Sequence, residues 1–173
     1  MIDELERGTT TERALAWFDS LPSMPAPSMI GRWRGSGLPT SHPMDGLLEE
    51  LGWYGKHFES DESVHPLLFR FGDTVSPIQP ALVPMSLVVR HARLLHARAI
   101  PSLFALVGRL ARTRHPAARL RTIEHRGVST AAMIYDRLPI CDVFRKVDDD
   151  TALGLMDLRG MEQPFFFVLR RER

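Results

Sequence analysis

The sequence contains very little cysteine, since Cys141 is the single one among 173 residues. One cysteine excludes an internal disulfide and a zinc site built from several thiolates, and although a lone thiol could act as a nucleophile, we expect a buried thiol without a role. Long apolar runs are also lacking, because none approaches the roughly 18 residues that cross a bilayer. Residues 1–13 are too acidic and too polar for a secretory signal. These absences predict a folded domain located in the cytoplasm.

The motifs of nucleotide and metal chemistry are absent as well. There is no glycine-rich phosphate loop, G-x-S-x-G elbow or dinucleotide fingerprint, because the glycines near residue 35 lie within a predicted strand rather than before a helix. His91 and His96 are five residues apart and so face different sides of a helix, which does not match the spacing of zinc ligands. We therefore predict no metal and no cofactor.

Acidic residues are missing from one long segment, residues 74–123, which carries arginines throughout. The segment contains Arg90, Arg93, Arg98, Arg109, Arg112, Arg114, Arg119 and Arg121. We expect them to form a solvated face paired with acids from elsewhere, such as Glu49, Glu50 or residues 59–62. The alternative is a weak, salt-sensitive contact with an anionic membrane surface. Nucleic-acid binding is not predicted, because surface aromatics do not alternate with the arginines, and no oligomeric state is predicted either.

Hydrophobic residues make up 44% and charged residues 25% of the chain, which is typical of a globular domain. Thr9 and Glu12 have the spacing of a capping box before a helix over 10–20. Alternation and glycine and proline positions then predict a strand over 29–37, a short helix over 44–51, strands over 53–58 and 67–71, and helices over 85–98 and 101–113. An apolar stripe on the last helix, Leu103, Leu106, Val107 and Leu110, is expected to cover a sheet.

The C-terminal third has the period-two alternation of strands separated by tight turns. Strands are predicted over 118–125, 128–136, 140–147, 152–158 and 165–171. Short connections make these strands an antiparallel meander, and with the earlier strands they predict a mainly β fold, an antiparallel barrel or strongly curled sheet of six to eight strands with helical decorations. Aromatics on both faces of residues 165–167 indicate that the barrel interior covers one face and a helix the other, for which the basic helices are the expected cover.

The motif GRWRG at residues 31–35 resembles the signature of the bacterial GXWXG family, and WYGK at 53–56 and HPLLF at 65–69 resemble the rest of that module. The stretch from MIYD at 133–136 to PFFF at 164–167 resembles the domain of unknown function that usually accompanies it. We therefore divide one domain, 1–173, into a GXWXG module over 1–80, a basic helical insertion over 81–115 and a C-terminal meander over 116–173. The resemblance implies a family but no particular activity.

A second resemblance is to the calycin group of ligand-binding barrels, in which a G-x-W on the first strand plugs one end. Gly31, Trp33, Gly35 and Gly37 match the longer G-x-W-x-G-x-G of nitrobindin-like haem proteins. This resemblance implies a barrel that holds a ligand and makes haem an alternative. Those proteins place a haem-ligating histidine late in the barrel, whereas no histidine follows His125 here.

A barrel of this size has an interior for one small ligand. We therefore predict binding of a small hydrophobic or amphipathic molecule, and the alternative is an isomerase, cyclase or hydrolase that acts on one. The candidate ligand-binding residues are Trp33, Trp53, His57, His65, Tyr135 and Asp157, of which His57, His65, Tyr135 and Asp157 could serve as acid or base. Trp33 is expected mainly as an end plug, Asp136 and Asp142 as turn residues, and Asp157 faces either inward or outward.

Overall fold

The structure is a computed structural model that describes residues 2–82, 104, 108 and 110–173. Its helices are α1 (Ile2–Leu5), α2 (Thr11–Ser20) and α3 (Leu47–Glu50), with 3-10 turns at Ala26–Met29 and Pro80–Leu82. Its strands are β1 (Gly31–Gly37), β2 (Trp53–Phe58), β3 (Val64–Phe71), β4 (Thr74–Pro77), β5 (Ala118–His125), β6 (Val128–Tyr135), β7 (Ile140–Lys146), β8 (Thr151–Leu158) and β9 (Phe165–Arg171). None of the helices within these residues is long and apolar enough to cross a membrane.

Eight strands close an antiparallel barrel in the order β1-β2-β3-β5-β6-β7-β8-β9, and β9 pairs back onto β1. The pairing of β3 with β5 is short and joins Val64 to Ala118. β4 pairs with β3 outside this ring. The predicted antiparallel barrel is therefore confirmed, and closure satisfies backbone groups that two open edges would expose.

The C-terminal meander begins and ends close to the predicted residues, because alternation and short turns define its strands on both sides. β5 and β6, for example, pair residue by residue from Ala118↔Tyr135 to His125↔Val128. The turn between them places Arg126 and Gly127 at positive φ, the backbone conformation that tight hairpins need. β4 was not predicted, since its prolines indicated a boundary. An edge strand tolerates Pro77 because one side of it forms no ladder.

The two faces of the barrel wall pack into separate apolar clusters. The inner cluster includes Phe144 and Phe167, whereas the outer one joins Phe166 to Phe18 of α2. A helix does cover the outer aromatic face, as the sequence indicated, but in the described part of the chain this helix is α2 rather than a basic helix. α2 also begins one residue later than predicted, because the side chain of Thr10, not Thr9, accepts the capping hydrogen bond from Arg13 N–H.

Trp33 fills one end of the barrel. Its side chain is fully buried, its Nε1–H donates a 2.7 Å hydrogen bond to the Met29 carbonyl, and the Arg171 guanidinium lies 4.2 Å from its ring centroid. The second glycine of the motif leaves room for another indole, since a Cβ on Gly35 would lie 2.3 Å from the Trp53 ring. The G-x-W-x-G pattern therefore seats two tryptophans in one barrel.

The predicted helices over 85–98 and 101–113 lie largely outside the described residues. Phe104, Gly108 and Leu110 are described and helical. Phe104 lies on Phe69 with ring centroids 4.9 Å apart, and a Cβ on Gly108 would lie 2.8 Å from the Phe71 ring. Leu110 is 85% exposed, because it lies about 200° around the helix from Gly108. Its assignment to a covered stripe is therefore wrong.

Three of the four described arginines of the acid-free segment have partners on the barrel. Arg119 forms an ion pair of 3.1 Å with Asp136, and Arg121 pairs with Glu62 of the acidic turn. Arg112 lies over the Phe71 ring, 4.9 Å from its centroid. These contacts agree with the expected solvated and paired face. The remaining arginines of the segment, apart from Arg114, lie outside the described residues, and the membrane contact stays a prediction.

Candidate ligand-binding site

The half of the barrel opposite Trp33 encloses a cavity of about 70 Å³. Its wall is almost entirely apolar. The described lining residues are Met44, Leu47, Leu48, Leu51, Trp53, Lys56, Leu67, Phe69, Phe104, Tyr135, Leu138, Ile140, Asp142, Met156, Phe165 and Phe167. Leu48, Leu51, Leu67, Phe104 and Leu138 are half-exposed, and we therefore infer that the cavity opens to solvent at these residues, which we call its mouth. Such a wall binds apolar molecules, and its few polar groups decide which ones.

A buried ion pair lies in this wall. Lys56 Nζ is 2.8 Å from Asp142 Oδ2, and the two side chains are 3% and 1% exposed. The same ammonium donates a 3.2 Å hydrogen bond to the Pro66 carbonyl and lies 4.9 Å from the Phe167 ring centroid and 5.6 Å from that of Trp53. Aromatic faces and a carbonyl thus replace part of the water that the ammonium lost. Removing two charges from water is costly, so this pair is an unusual feature of an otherwise apolar interior.

A distortion of two strands directs Lys56 inward. Strict alternation from Trp53 would place Gly55 and His57 inside, but the pairing of β2 with β3 shifts register on both sides of Gly55. Gly55 has φ +148°, and a Cβ there would collide with the Trp33 carbonyl oxygen. A bulge of this kind re-aims the following side chains, so that Lys56 enters the barrel and His57 leaves it. The compensating irregularity in β3 includes Pro66, the residue whose carbonyl Lys56 contacts.

Asp142 reaches the cavity by simple alternation. Ile140, Asp142 and Phe144 share the inward face of β7. The expectation of a turn residue is wrong for Asp142, because the turn ends before Ile140. Burial raises the pKa of the Asp142 carboxyl, and the neighbouring Lys56 ammonium opposes that rise. Oδ2 is held by Lys56, but Oδ1 has no hydrogen-bond partner among the described residues.

Two further polar groups belong to the same wall. Trp53 Nε1 is buried and has no acceptor within the described part of the chain. Burial and the nearby Asp142 carboxylate raise the pKa of Tyr135 well above its ordinary value, so its phenol keeps its proton at neutral pH. The wall therefore offers an acceptor at Asp142 Oδ1 and donors at Trp53 and Tyr135. The hydroxyl group of an apolar molecule could donate to Asp142 Oδ1 and accept from Trp53 or Tyr135, whereas a carbonyl oxygen could only accept from those two donors.

Of the candidate residues from the sequence, Trp53 and Tyr135 line the cavity. Trp33 does not, because it fills the opposite end. His57 and His65 line a groove on the outer surface, with ring centroids 6.1 Å apart and Glu59 Oε1 3.8 Å and 3.3 Å away respectively. Burial lowers the pKa of His57, and Glu59 opposes this. The bulge in β2 is the physical reason why His57 lies outside.

Asp157 is exposed on the outer face of β8, where it pairs in register with Cys141. It shares that face with Leu155, which α2 and its neighbours cover, but Asp157 lies beyond the covered part. Of the two directions that the sequence allowed for Asp157, inward or outward, the structure shows the outward one. Burial raises the pKa of Cys141 to about 11, which makes its thiol a poor nucleophile at neutral pH.

Lys56 and Asp142 are the polar residues that sequence reasoning missed. The signal for Asp142 was available, since an acid flanked by Ile140 and Phe144 at period two shares their buried face. The signal for Lys56 was Gly55, because an isolated glycine inside a strand is typical of a bulge. Neither signal states that the two side chains meet, which depends on how β2 and β7 face each other across the barrel.

Haem does not fit the part of this site that the structure describes. No histidine is among the described lining residues, and a cavity of about 70 Å³ is far smaller than a porphyrin needs. His42 does not line the cavity, since its Nδ1 accepts a 3.1 Å hydrogen bond from Met44 N–H and its ring contacts Phe165 edge-on. No group of three or more histidine, cysteine or carboxylate side chains with metal-site geometry occurs among the described residues.

Family models match both parts of the chain. A model described as "GXWXG protein" matches residues 16–73, and one described as "Domain of unknown function (DUF4334)" matches residues 116–171. The chain belongs to the GXWXG family. Both matched regions contribute to the wall of the cavity, since Trp53 and Lys56 lie in the first region and Tyr135 and Asp142 in the second.

One solved structure is similar over nearly the whole GXWXG chain. It is a crystal structure of a protein from Thermomonospora curvata, 31% identical, with a TM-score of 0.66, and the match covers 92% of this chain and 85% of that one. A search of the curated proteins found no match. The likeness supports the fold, and the calycin resemblance stays a prediction.

Proposed function

We propose that the protein binds a small, largely hydrophobic molecule that carries one polar group, with that group at the Lys56–Asp142 pair. The observation that carries the proposal is the unpartnered Asp142 Oδ1 in the wall of an apolar cavity. A buried acceptor without a donor is costly, at about 1–3 kcal/mol, and a ligand that donates to it recovers this energy.

The size of the cavity limits the ligand. A volume of about 70 Å³ is well below the roughly 300 Å³ of common ligand pockets, so a short chain fits and a longer one extends through the mouth. The half-exposed leucines at the mouth offer apolar contact to such a chain. A medium-length alkyl alcohol is therefore a suitable probe, because its hydroxyl can reach the ion pair while its tail lies along the wall.

The experiment is a thermal-shift titration with 1-octanol. A concentration about 100-fold above Kd adds about 2.7 kcal/mol of stability, which gives a measurable rise in Tm. Leu51→Trp should block the mouth and abolish the shift. Leu15→Trp is the matched control, because Leu15 packs on the outer cluster, away from the cavity. A shift that survives in Leu51→Trp, or none in the unmodified protein, would contradict the proposal.

The second candidate is an enzyme that transfers a proton to or from such a molecule. The observation that favours it is the presence of three titratable side chains, Lys56, Tyr135 and Asp142, in one cavity. A carboxyl with raised pKa is suited to proton transfer near neutral pH. Uptake of solvent deuterium at the carbon next to the carbonyl of 2-octanone would support the enzyme, provided that Asp142→Asn loses it. Equal uptake in both proteins would exclude it.

A further inference from the structure

Lysine is scarce in this chain. Of its 22 lysine and arginine residues, only Lys56 and Lys146 are lysines. Lys146 lies at the surface, 2.6 Å from Asp149, and Lys56 lies in the cavity wall. A chain that uses arginine for nearly all its cations thus places one of its two primary side-chain amines inside the barrel.

Arginine could not replace an amine that reacts. The guanidinium stays protonated in proteins, whereas a lysine amine can lose its proton in a dry site and attack a carbonyl carbon. An amine that serves only as a counter-ion contributes little stability, because the cost of desolvation offsets the attraction. We therefore infer that Lys56 has a role besides its ion pair with Asp142.

The surroundings of Lys56 contain the group that such a reaction requires. Asp142 Oδ2, 2.8 Å from Nζ, can take the proton that the ammonium must lose. Oδ1 of the same carboxyl has no partner among the described residues and can hold the oxygen of a reacting carbonyl group when protonated. The bulge at Gly55 and the Pro66 carbonyl fix the direction of the amine.

We propose that Lys56 forms a reversible imine with the carbonyl carbon of an aldehyde or ketone bound in the cavity. The inference rests on the proposed function, because the carbonyl compound must first bind there. It names the substrate class, a short hydrophobic carbonyl compound, and the covalent attachment point.

The step balances without any further reactant. Lys56 Nζ passes one proton to Asp142 and attacks the carbonyl carbon, and the C–N bond forms as the C=O π bond opens. A second proton moves from nitrogen to the former carbonyl oxygen, giving a carbinolamine. Asp142 then returns its proton to the hydroxyl, the C–O bond breaks and water leaves. The product is an iminium ion on Lys56 that faces the Asp142 carboxylate, so the buried charges stay paired throughout.

The test is reductive trapping with octanal and cyanoborohydride, followed by peptide mass spectrometry. We expect Lys56 to gain an octyl group at least tenfold faster than Lys146 in the folded protein, although Lys146 is far more exposed. In urea the two lysines should react at similar rates, which verifies that both peptides are detected. Lys146→Arg should leave trapping at Lys56 unchanged, and excess 1-octanol should slow it.

Two variants separate chemistry from folding. Asp142→Asn should slow trapping at Lys56 while its circular dichroism spectrum stays that of the unmodified protein, and the double variant Lys56→Met/Asp142→Leu should be labelled only at Lys146 and the α-amine. If 1-octanol stabilises the protein but Lys146 or the α-amine reacts before Lys56, the imine is overturned and the cavity proposal stands. If 1-octanol has no effect and Lys56 is not labelled, both fail. Rapid labelling of Lys56 supports the imine in either case.

Discussion

Replacing Lys56 by methionine should destabilise the protein by about 3–5 kcal/mol, because it leaves the Asp142 carboxylate, 1% exposed, without its ion-pair partner. With a urea m value of about 2 kcal/mol/M, the unfolding midpoint should fall by about 2 M. The matched control is Lys146→Met. The Lys146–Asp149 pair is short, at 2.6 Å, but its side chains are 38% and 93% exposed, so its loss should cost no more than about 1 kcal/mol.

The double variant Lys56→Met/Asp142→Leu completes a mutant cycle. It removes both charges, and we expect a stability within about 1 kcal/mol of the unmodified protein or up to about 4 kcal/mol above it. Urea unfolding followed by circular dichroism measures the four proteins of the cycle, which are the unmodified protein, Lys56→Met, Asp142→Leu and the double variant. The reasoning would be refuted if Lys56→Met lost no more stability than Lys146→Met. It would also be refuted if the double variant lost as much stability as its two single variants together.

The same cycle has a pH signature. Burial raises the pKa of Asp142 in the folded state, so the folded protein binds that proton more tightly than the unfolded chain does. Stability from this group is therefore lost as pH rises through the folded pKa and regained as pH falls. Removing Lys56 should make stability depend more strongly on pH, since its ammonium opposes the rise in the pKa of Asp142. The stability gap between Lys56→Met and the unmodified protein should narrow from pH 7 towards pH 4, and a constant gap would contradict this.

Other features predict measurable changes. Gly35→Ala should lower stability by about 1–3 kcal/mol in urea unfolding, because its Cβ would lie 2.3 Å from the Trp53 ring, and an unchanged midpoint would contradict this. Cys141, with its pKa raised to about 11, should be alkylated about a hundredfold more slowly at pH 8 than in the unfolded chain. Burial lowers the pKa of His42, so the unfolded chain binds a proton there more readily than the folded protein. The stability of the unmodified protein should therefore fall from pH 7 to pH 5 more steeply than that of His42→Gln, by up to about 1.4 kcal/mol per pH unit. Parallel curves of stability against pH would contradict this expectation. If residues 74–123 contact membranes, co-sedimentation with liposomes should increase with anionic lipid and decrease with salt.

Most strands of the barrel wall could be predicted from the sequence, whereas the Lys56–Asp142 pair of the candidate site could not. Strands β5 to β9 follow from alternation and short turns, which are local signals. The bulge around Gly55 is also a local feature, but it reverses which residues of β2 face inward after it. Alternation therefore predicted His57 in the interior, where the structure has Lys56. The meeting of Lys56 with Asp142 depends on the closed barrel, since β2 and β7 are far apart in the chain and not adjacent in the sheet. Alternation predicts faces, and it does not predict which residues meet across a cavity.

The pairing of β1 with β9 has a consequence for how the chain reaches its native state. Arg34 of β1 pairs with Arg170 of β9, so the barrel is sealed by strands from opposite ends of the described chain. During synthesis β1 cannot find this neighbour until β9 has emerged, and its unpaired edge stays available to other chains for that time. Such distant contacts make folding slow for the chain's length. A shortened chain without residues 165–173 should therefore associate through the edges of β1 and β8.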